Sequence, residues 1–127
     1  MGIEKVHTGA APRAIGPYSQ AVASGGWLFV SGQIGLDPGS GSLVGGGFAA
    51  EVRQAVQNLA AIVTAGGASL DQVVRVTVYL TDLERFAEMN AIYEEFFGGS
   101  RPARSTVGVS TLPRGAVFEI DAIARCA

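Results

Sequence analysis

An arginine and a glutamate near the end of the sequence are the residues best suited to chemistry. Arg104 opens one strand-like run, and Glu119 lies inside the next. An arginine can bind a carboxylate through two parallel hydrogen bonds, and a glutamate nearby can position or deprotonate a water molecule. Alternation along each strand puts both residues on the side that is not apolar. The pair therefore predicts a small pocket for an anionic substrate that reacts with water.

The composition favours a small protein that associates with other subunits. The chain has 127 residues, the length of one domain, so we expect residues 1–127 to fold as a single domain. Charged residues make up 16% of the sequence, below the ~25% typical of soluble domains. Part of the surface should therefore be buried in an oligomer. The net charge of −2 argues against a nucleic-acid partner.

Sequence features that direct a chain to a membrane or out of the cell are not found. No run is apolar over membrane-spanning length, so we expect no membrane partner. Residues 1–12 lack the apolar centre of a secretion signal. Cys126 is the single cysteine, which excludes a disulfide within the chain. These features predict a cytoplasmic protein.

The residue inventory excludes several kinds of active site. His7 is the only histidine, so one chain cannot assemble a Ser-His-Asp or Cys-His arrangement, and it has too few ligands for a zinc site. We therefore expect no metal. Lys5 is the only lysine and lies near the start, which argues against a Schiff-base lysine. The segment Gly39–Gly47 lacks Gly-Lys-Ser/Thr, so it is not a phosphate-binding loop of that type. We interpret it as a flexible surface connection, and leave open whether it acts as a lid.

The apolar pattern predicts an α+β domain with the order β-β-β-α-β-α-β-β. A capping box at residues 81–84 should open the second helix, and the glycines at 98 and 99 should end it. Elements in this order favour one mixed sheet with both helices packed on one face. The predicted strands are Ile3–His7, Tyr18–Ala23, Trp27–Ile34, Val73–Thr81, Arg104–Thr111 and Ala116–Cys126, and the first helix is Gly47–Ala65.

Strand alternation also predicts which side chains share a face of the sheet. The helix-covered face should include Val74, Val76, Val78, Leu80, Val107, Val109, Phe118, Ile120 and Ala122. The opposite face should carry Arg75, Thr77, Tyr79, Arg104, Thr106, Gly108, Glu119 and Asp121, together with the apolar Trp27, Phe29, Val117 and Ile123. A sheet face that is half apolar is usually covered by another subunit. Its polar groups would then line clefts between subunits.

Several ordered blocks, at characteristic spacing, cover nearly the whole chain. They are Ala14–Ala21, Val30–Ile34, Val76–Leu80, Met89–Phe97 and the Pro102–Ser105 signature. Through these blocks the chain resembles the reactive intermediate deaminases of the RidA or YjgF family, also called L-PSP endoribonucleases. The resemblance implies a chorismate-mutase-like α+β fold and a homotrimer with sites at the subunit interfaces. It also implies hydrolysis of enamines and imines, of the 2-aminoacrylate and 2-iminobutyrate type, to a 2-keto acid and ammonia.

The resemblance implies roles for individual residues. Arg104 matches the arginine that binds the substrate carboxylate, and Glu119 matches the residue that holds the attacking water. Each has a structural alternative as half of an ion pair. Tyr18, Ser31 and Gly32 match residues of the cleft, although Tyr18 could simply pack behind the preceding proline. No cofactor is expected, because an iminium carbon is already electrophilic.

Asn90 and Thr106 complete the predicted substrate-binding set. Asn90 shares a helical stripe with Leu83, Phe86, Tyr93 and Phe97, so its amide must find a partner, either structural or in a ligand. Archetypal family members have a cysteine two residues after the arginine, where this chain has Thr106. That departure bears on substrate range more than on basic deaminase chemistry.

Two other functions compete with hydrolysis. A trimeric sensor could bind a small carboxylate or ketoacid without turning it over, but it would need the arginine and not the water-holding acid. An endoribonuclease fits less well, because an acidic chain with one histidine lacks the usual phosphate-binding and acid-base groups.

Overall fold

The computed structural model describes residues 2–126 and contains the predicted elements in the predicted order. Short 3-10 turns precede β4, α2 and β6 at Leu70–Gln72, Leu83–Arg85 and Pro113–Gly115. The strands are β1 (Glu4–Val6), β2 (Ala21–Ser24), β3 (Trp27–Gln33), β4 (Val73–Leu80), β5 (Ala103–Gly108) and β6 (Phe118–Arg125), and the helices are α1 (Phe48–Ala65) and α2 (Phe86–Phe97).

The six strands form one mixed sheet in the order β1-β2-β3-β6-β4-β5. All neighbours are antiparallel except β4 and β5, which are parallel. Parallel neighbours need a crossover connection, and α2 supplies it between these two strands. β5 is therefore an edge strand that lies beside α2.

Both helices pack on one face of the sheet and form the main core with it. The predicted stripe of α1, formed by Val52, Val56, Leu59 and Val63, is fully buried. These side chains share one apolar cluster with Val76, Val78, Phe118 and Ile120 of the sheet. The α+β architecture with two helices on one face is thus confirmed. No helix within residues 2–126 is long and apolar enough to cross a membrane.

The opposite face of the sheet is half apolar and exposed in the single chain. Phe29 pairs with Ile123 across β3 and β6, and Tyr79 pairs with Val107 across β4 and β5. Phe29 is 45% exposed and Trp27 is 36% exposed. The predicted positions of Trp27, Phe29 and Ile123 on this face are confirmed. We call it the open face.

A bulge at the start of β4 corrects one predicted core position. Val73 pairs with Ala124, but the next paired residue is Arg75, so Val74 falls at the irregularity. The extra residue turns Val73 inward, where it is buried, and leaves Val74 42% exposed. The placement of Val74 on the helix-covered face was therefore wrong, whereas Val76, Val78 and Leu80 are buried as expected.

The start of α2 also differs from the prediction. Asp82, rather than Thr81, is the capping residue, and its carboxylate accepts a hydrogen bond of 3.0 Å from the Glu84 backbone N–H. A 3-10 turn follows, so α2 begins only at Phe86. Leu83 and Phe86 are exposed, and the buried stripe is Met89, Ile92, Tyr93 and Phe97. The predicted inward position of Leu83 and Phe86 was wrong because the helix starts later.

The segment Gly39–Gly47 belongs to a compact, hydrogen-bonded loop. The Asp37 N–H donates to the Ser42 carbonyl at 2.8 Å, and the Arg114 guanidinium donates to the Gly41 carbonyl at 2.7 Å. The buried Asn58 amide donates to the Ile34 and Leu36 carbonyls at 3.1 and 2.9 Å, which fixes the base of the loop. These contacts tie the loop to the rest of the domain, and its flexibility stays a prediction.

Candidate active site

Glu119 lies in a half-enclosed pocket at the open face. It lies on β6, where it pairs with Tyr79 of β4, and β3 is the neighbouring strand on the other side of β6. The pocket is also lined by Tyr18, Gly32 and Pro113. Burial, and secondly the nearby Asp121 carboxylate, raise the pKa of Glu119. A carboxyl group of raised pKa in a small pocket is suited to exchanging protons with a bound water molecule.

Gly32 makes room for the Glu119 carboxyl group. The β3–β6 pairing shifts register between Val30 and Gln33, so Ser31 and Gly32 lie at a bulge. A Cβ atom on Gly32 would overlap a carboxylate oxygen of Glu119 and lie 2.9 Å from its Cδ. The glycine is therefore required by space: only a residue without a side chain lets the carboxylate lie against β3.

Ser31 holds the segment that carries Tyr18. Its hydroxyl donates to the Ser19 carbonyl at 2.6 Å, and its N–H donates to the Gln20 carbonyl at 2.9 Å. Residues 18–20 are consequently tied to β3 without being part of β2, which begins only at Ala21. The predicted strand start at Tyr18 was wrong for that reason.

Tyr18 stands at the mouth of the Glu119 pocket. It is 50% exposed, and its hydroxyl accepts a 3.3 Å hydrogen bond from the Ile15 N–H. The turn beneath it is anchored by Gln20, which is buried and donates to the Pro12 carbonyl at 2.8 Å. Sequence reasoning missed this role of Gln20. The signal was a lone amide at the start of an apolar strand, which must find partners when buried.

Arg104 lies in a groove between β5 and α2. Its guanidinium carbon is 4.6 Å from the centroid of the Tyr93 ring and 5.6 Å from that of Phe86. Stacking on aromatic rings orients the flat guanidinium group and leaves its N–H edges free. Burial raises the pKa of Tyr93, and the charge of Arg104 opposes this shift. Asn90 lines the same groove.

Thr106 follows Arg104 on the same side of β5. It pairs with Val78 of β4, and its hydroxyl oxygen is buried without a hydrogen-bond partner among residues 2–126. The Tyr93 hydroxyl also lacks a hydrogen bond of good geometry within that range, although Arg104 lies close enough to it to oppose the rise in its pKa. Buried hydroxyl groups are normally paired. Two such groups close to one arginine are a feature of a site that binds a polar ligand or a neighbouring chain.

The predicted common face of Arg104 and Glu119 was wrong. Arg104 pairs with Val76 and Thr106 with Val78, which are core residues, so β5 turns these two side chains toward the helices. Glu119 pairs with Tyr79 and faces the other way. Val107, placed in the core from its apolarity, is 39% exposed on the open face.

The structure therefore divides the predicted residues into two sets. Tyr18, Ser31, Gly32 and Glu119 form one set at the open face, and Asn90, Arg104 and Thr106 form the other beside α2. One described chain does not bring the arginine and the glutamate together. Within residues 2–126, no three histidine, cysteine, aspartate or glutamate side chains are grouped so that they could hold a metal ion.

The raised pKa of Glu119 predicts a pH-dependent gain in stability for Glu119→Gln. A carboxyl group whose folded-state pKa lies above its unfolded value stabilises the fold below the unfolded pKa, and this contribution is lost as the pH rises through the folded pKa. At neutral pH the variant should melt at a higher temperature than wild type. Below the ordinary value of 4.5 the difference should vanish.

Thermal melts at pH 7 and pH 3.5 test this expectation, with Glu4→Gln as the matched control on the exposed strand β1. A difference in melting temperature that is equal at the two pH values would assign the effect to packing instead of charge.

Comparison with known proteins places the chain in a family. A sequence model named Endoribonuclease L-PSP matches residues 8–126. A RutC family protein of Pyrococcus horikoshii is 50% identical over 121 residues, which are 95% of this chain and 96% of that protein. The 2-iminobutanoate/2-iminopropanoate deaminase of Mus musculus is 50% identical over 119 residues, or 94% of this chain and 88% of the mouse protein.

Solved structures agree with the sequence comparisons. The YjgF gene product of E. coli is 42% identical, with a TM-score of 0.91 over 96% of this chain and 98% of that chain. The chain belongs to the RidA/YjgF family, and the resemblance noted from its sequence blocks is confirmed.

Proposed function

We propose that this protein is a hydrolytic deaminase of 2-imino acids and their enamine tautomers, of the 2-iminobutyrate and 2-aminoacrylate type. The carbon–nitrogen double bond is replaced by a carbon–oxygen double bond, one water is consumed, and a 2-keto acid and ammonia leave. The observation that supports this proposal most is that the chain supplies two separate parts of such a site. Arg104 is oriented to bind a carboxylate, and Glu119 is a carboxyl group of raised pKa that suits a bound water. The name of the mouse relative supports the same chemistry.

Arg104 would bind the substrate carboxylate through its free N–H edges. A bidentate pair fixes both position and orientation, so the imine carbon is held at one place in the cleft. Thr106 and Asn90 would contact the same end of the substrate, because both lie beside Arg104. Binding at the carboxylate converts attack by water into a reaction between positioned groups.

Glu119 would position the attacking water and accept its proton. A base works best when its pKa lies near the operating pH, and burial moves Glu119 in that direction. The proton is then available for the departing nitrogen, which leaves as ammonia. Gly32 and Ser31 would shape the part of the pocket that holds the Glu119 carboxylate, and Tyr18 would cover the mouth of this pocket. The proposal needs no cofactor, because the protonated imine is itself electrophilic.

The proposal includes a homotrimer with three sites between subunits. Two observations support an interface: the open face exposes Trp27, Phe29 and Val107, and Arg104 and Glu119 lie on opposite sides of the sheet. A neighbouring chain that covers the open face would bring its own Arg104 groove toward Glu119. A cytoplasmic location is also proposed, because the single cysteine cannot form a disulfide within the chain.

The first test is release of ammonia and keto acid from freshly generated 2-iminobutyrate. Wild type should accelerate hydrolysis, and Arg104→Ala should lower kcat/KM about 100-fold or more, because a charge-assisted contact is lost. Arg53→Ala is the matched control. Arg53 pairs with Glu95 at 2.8 Å on the exposed surface, and its loss should change kcat/KM by less than about 2-fold.

Both variants must keep the secondary structure and oligomeric mass of wild type. Binding of 2-oxobutyrate by wild type without any acceleration of hydrolysis would favour the sensor function. Equal activity of wild type and Arg104→Ala would mean that the carboxylate binds elsewhere.

A further inference from the structure

A second arginine, Arg101, lines the groove that holds Arg104. Asn90, Tyr93, Glu94 and Pro102 are also at its surface. Arg101 is exposed. One 2-imino monoacid needs one arginine for its carboxylate, so the proposed reaction leaves Arg101 unexplained.

The conformation of Arg101 holds its guanidinium at the groove. Its φ of 52° lies in the left-handed region, which residues other than glycine seldom adopt. The backbone N–H donates to the Phe97 carbonyl at 2.9 Å, and the side-chain Nε donates to the Gly98 carbonyl at 3.1 Å. Both terminal nitrogens are left to bind an anion end-on.

The charges in the groove favour an anionic ligand. Arg101 and Arg104 are positive, and Glu94 is the one acid that lines the groove with them. Within residues 2–126, none of the three takes part in an ion pair, since the only two pairs are Arg53–Glu95 and Arg85–Glu88. The surplus positive charge is unmatched by the chain itself.

The spacing of the two arginines suits a short dicarboxylate. Residues 101 and 104 are three apart, so their Cα atoms are at most about 10 Å apart. Two long, flexible side chains that start from such points can converge on carboxylates separated by two or three carbons. Arg104 is held by Tyr93 and Phe86, whereas the exposed Arg101 side chain is held only through its Nε, so Arg101 is the one that would adjust to the length of the ligand.

We propose that Arg101 binds a second carboxylate, so that the site prefers dicarboxylic 2-imino acids over those with a neutral side chain. This inference rests on the proposed function. The reaction is the same hydrolysis: the imine C=N bond is broken, water supplies the new C=O oxygen, and ammonia leaves, with no oxidation or reduction. The side-chain carboxylate is bound and does not react.

The test compares 2-iminoglutarate with 2-iminobutyrate, each generated in place from its amino acid by an amino-acid oxidase. Wild type should have the higher kcat/KM for 2-iminoglutarate. In Arg101→Gln the ratio of the two kcat/KM values should fall about 10-fold or more, the size of one charge-assisted contact. In Arg53→Gln, which removes the same charge far from the groove, the ratio should stay as in wild type.

Calorimetric binding of the products, 2-oxoglutarate and 2-oxobutyrate, separates the two hypotheses. If both imines are hydrolysed and the ratio of the two kcat/KM values is the same in Arg101→Gln and wild type, the role of Arg101 is overturned and the proposed deaminase function is retained. If neither imine is hydrolysed, but 2-oxoglutarate binds more tightly than 2-oxobutyrate and this difference is lost in Arg101→Gln, the deaminase function is overturned and the role of Arg101 as a carboxylate-binding residue is retained. Equal binding of both keto acids to wild type overturns the assignment, with Arg101 then left to contact a neighbouring subunit.

Discussion

Chains with Arg104→Ala and chains with Glu119→Gln, each nearly inactive alone, are expected to recover about a quarter of wild-type activity when their subunits are mixed. The reason is the register of the sheet. Arg104 pairs with Val76 on the helix side of β5, and Glu119 pairs with Tyr79 on the open face of β6. A site that uses both residues therefore draws them from two chains.

The expected quarter follows from random assortment in a ring of identical interfaces. Each site takes its arginine from one chain and its glutamate from a neighbouring chain. When the two variants are mixed in equal amounts, the first chain has an intact Arg104 in half of the sites, and the second has an intact Glu119 in half of them. The product of the two halves is about one quarter, and it does not depend on the number of subunits. Removal of a general base costs about 100-fold or more, so the background from the single variants is low.

Subunits can be exchanged by mixing the two variants in mild denaturant and dialysing, or by producing both chains in one cell with different tags. Activity is then measured against the fraction of each variant. A parabola with its maximum at equal amounts is expected. Activity that never exceeds the average of the two variants would place both residues of each working site in one chain. As a control, a double variant with Arg104→Ala and Glu119→Gln in the same chain is mixed with wild type. Activity should fall as the square of the wild-type fraction if each site spans two chains, and in direct proportion to that fraction if each site lies in one chain.

The elements of the fold could be predicted because their patterns are local. The α1 stripe of Val52, Val56, Leu59 and Val63 has helical spacing and is buried as a unit. The alternation of Val76, Val78 and Leu80 likewise marked a strand that is covered on one side. Apolar residues at helical or strand spacing indicate which side of an element is buried. The order of the helices and strands, and the packing of the helices on one face of the sheet, could therefore be predicted.

The face of β5 could not be predicted from the same kind of pattern. Its apolar Val107 was assigned to the core, yet the helix side of this edge strand carries Arg104 and Thr106. Two aromatic rings of α2 cover the arginine there, so a charged side chain is accommodated where alternation predicts an aliphatic one. The face on which each β5 side chain lies depends on contacts with α2, and the sequence of the strand alone does not reveal those contacts.

The close contact of Gly32 with Glu119 is another feature beyond sequence patterns. A glycine within a strand indicates a bulge or a close approach, but not which group approaches. The structure identifies that group as a carboxyl 87 positions later in the sequence, on β6. Residues 32 and 119 should consequently behave as one functional unit.

Gly32→Ala should lower kcat/KM for imine hydrolysis about 100-fold while the protein stays folded. Gly32 is not among the residues of positive φ, so its backbone accepts alanine, and the only obstacle is the overlap of the new Cβ with the Glu119 carboxylate. That carboxylate is the end of a flexible side chain, which can move aside at little cost in stability. A displacement of about 1 Å at a catalytic group can cost 100-fold in rate.

Gly45→Ala is the matched control, because a Cβ at that position meets nothing within 4 Å and its φ is likewise not positive. A double-mutant cycle then decides whether Gly32 acts through Glu119. In chains that already carry Glu119→Ala, the overlap is gone, so adding Gly32→Ala should change neither kcat/KM nor melting temperature. A further loss of activity in that background would mean that Gly32 supports the site by another route, such as close approach of the substrate to the β3 backbone.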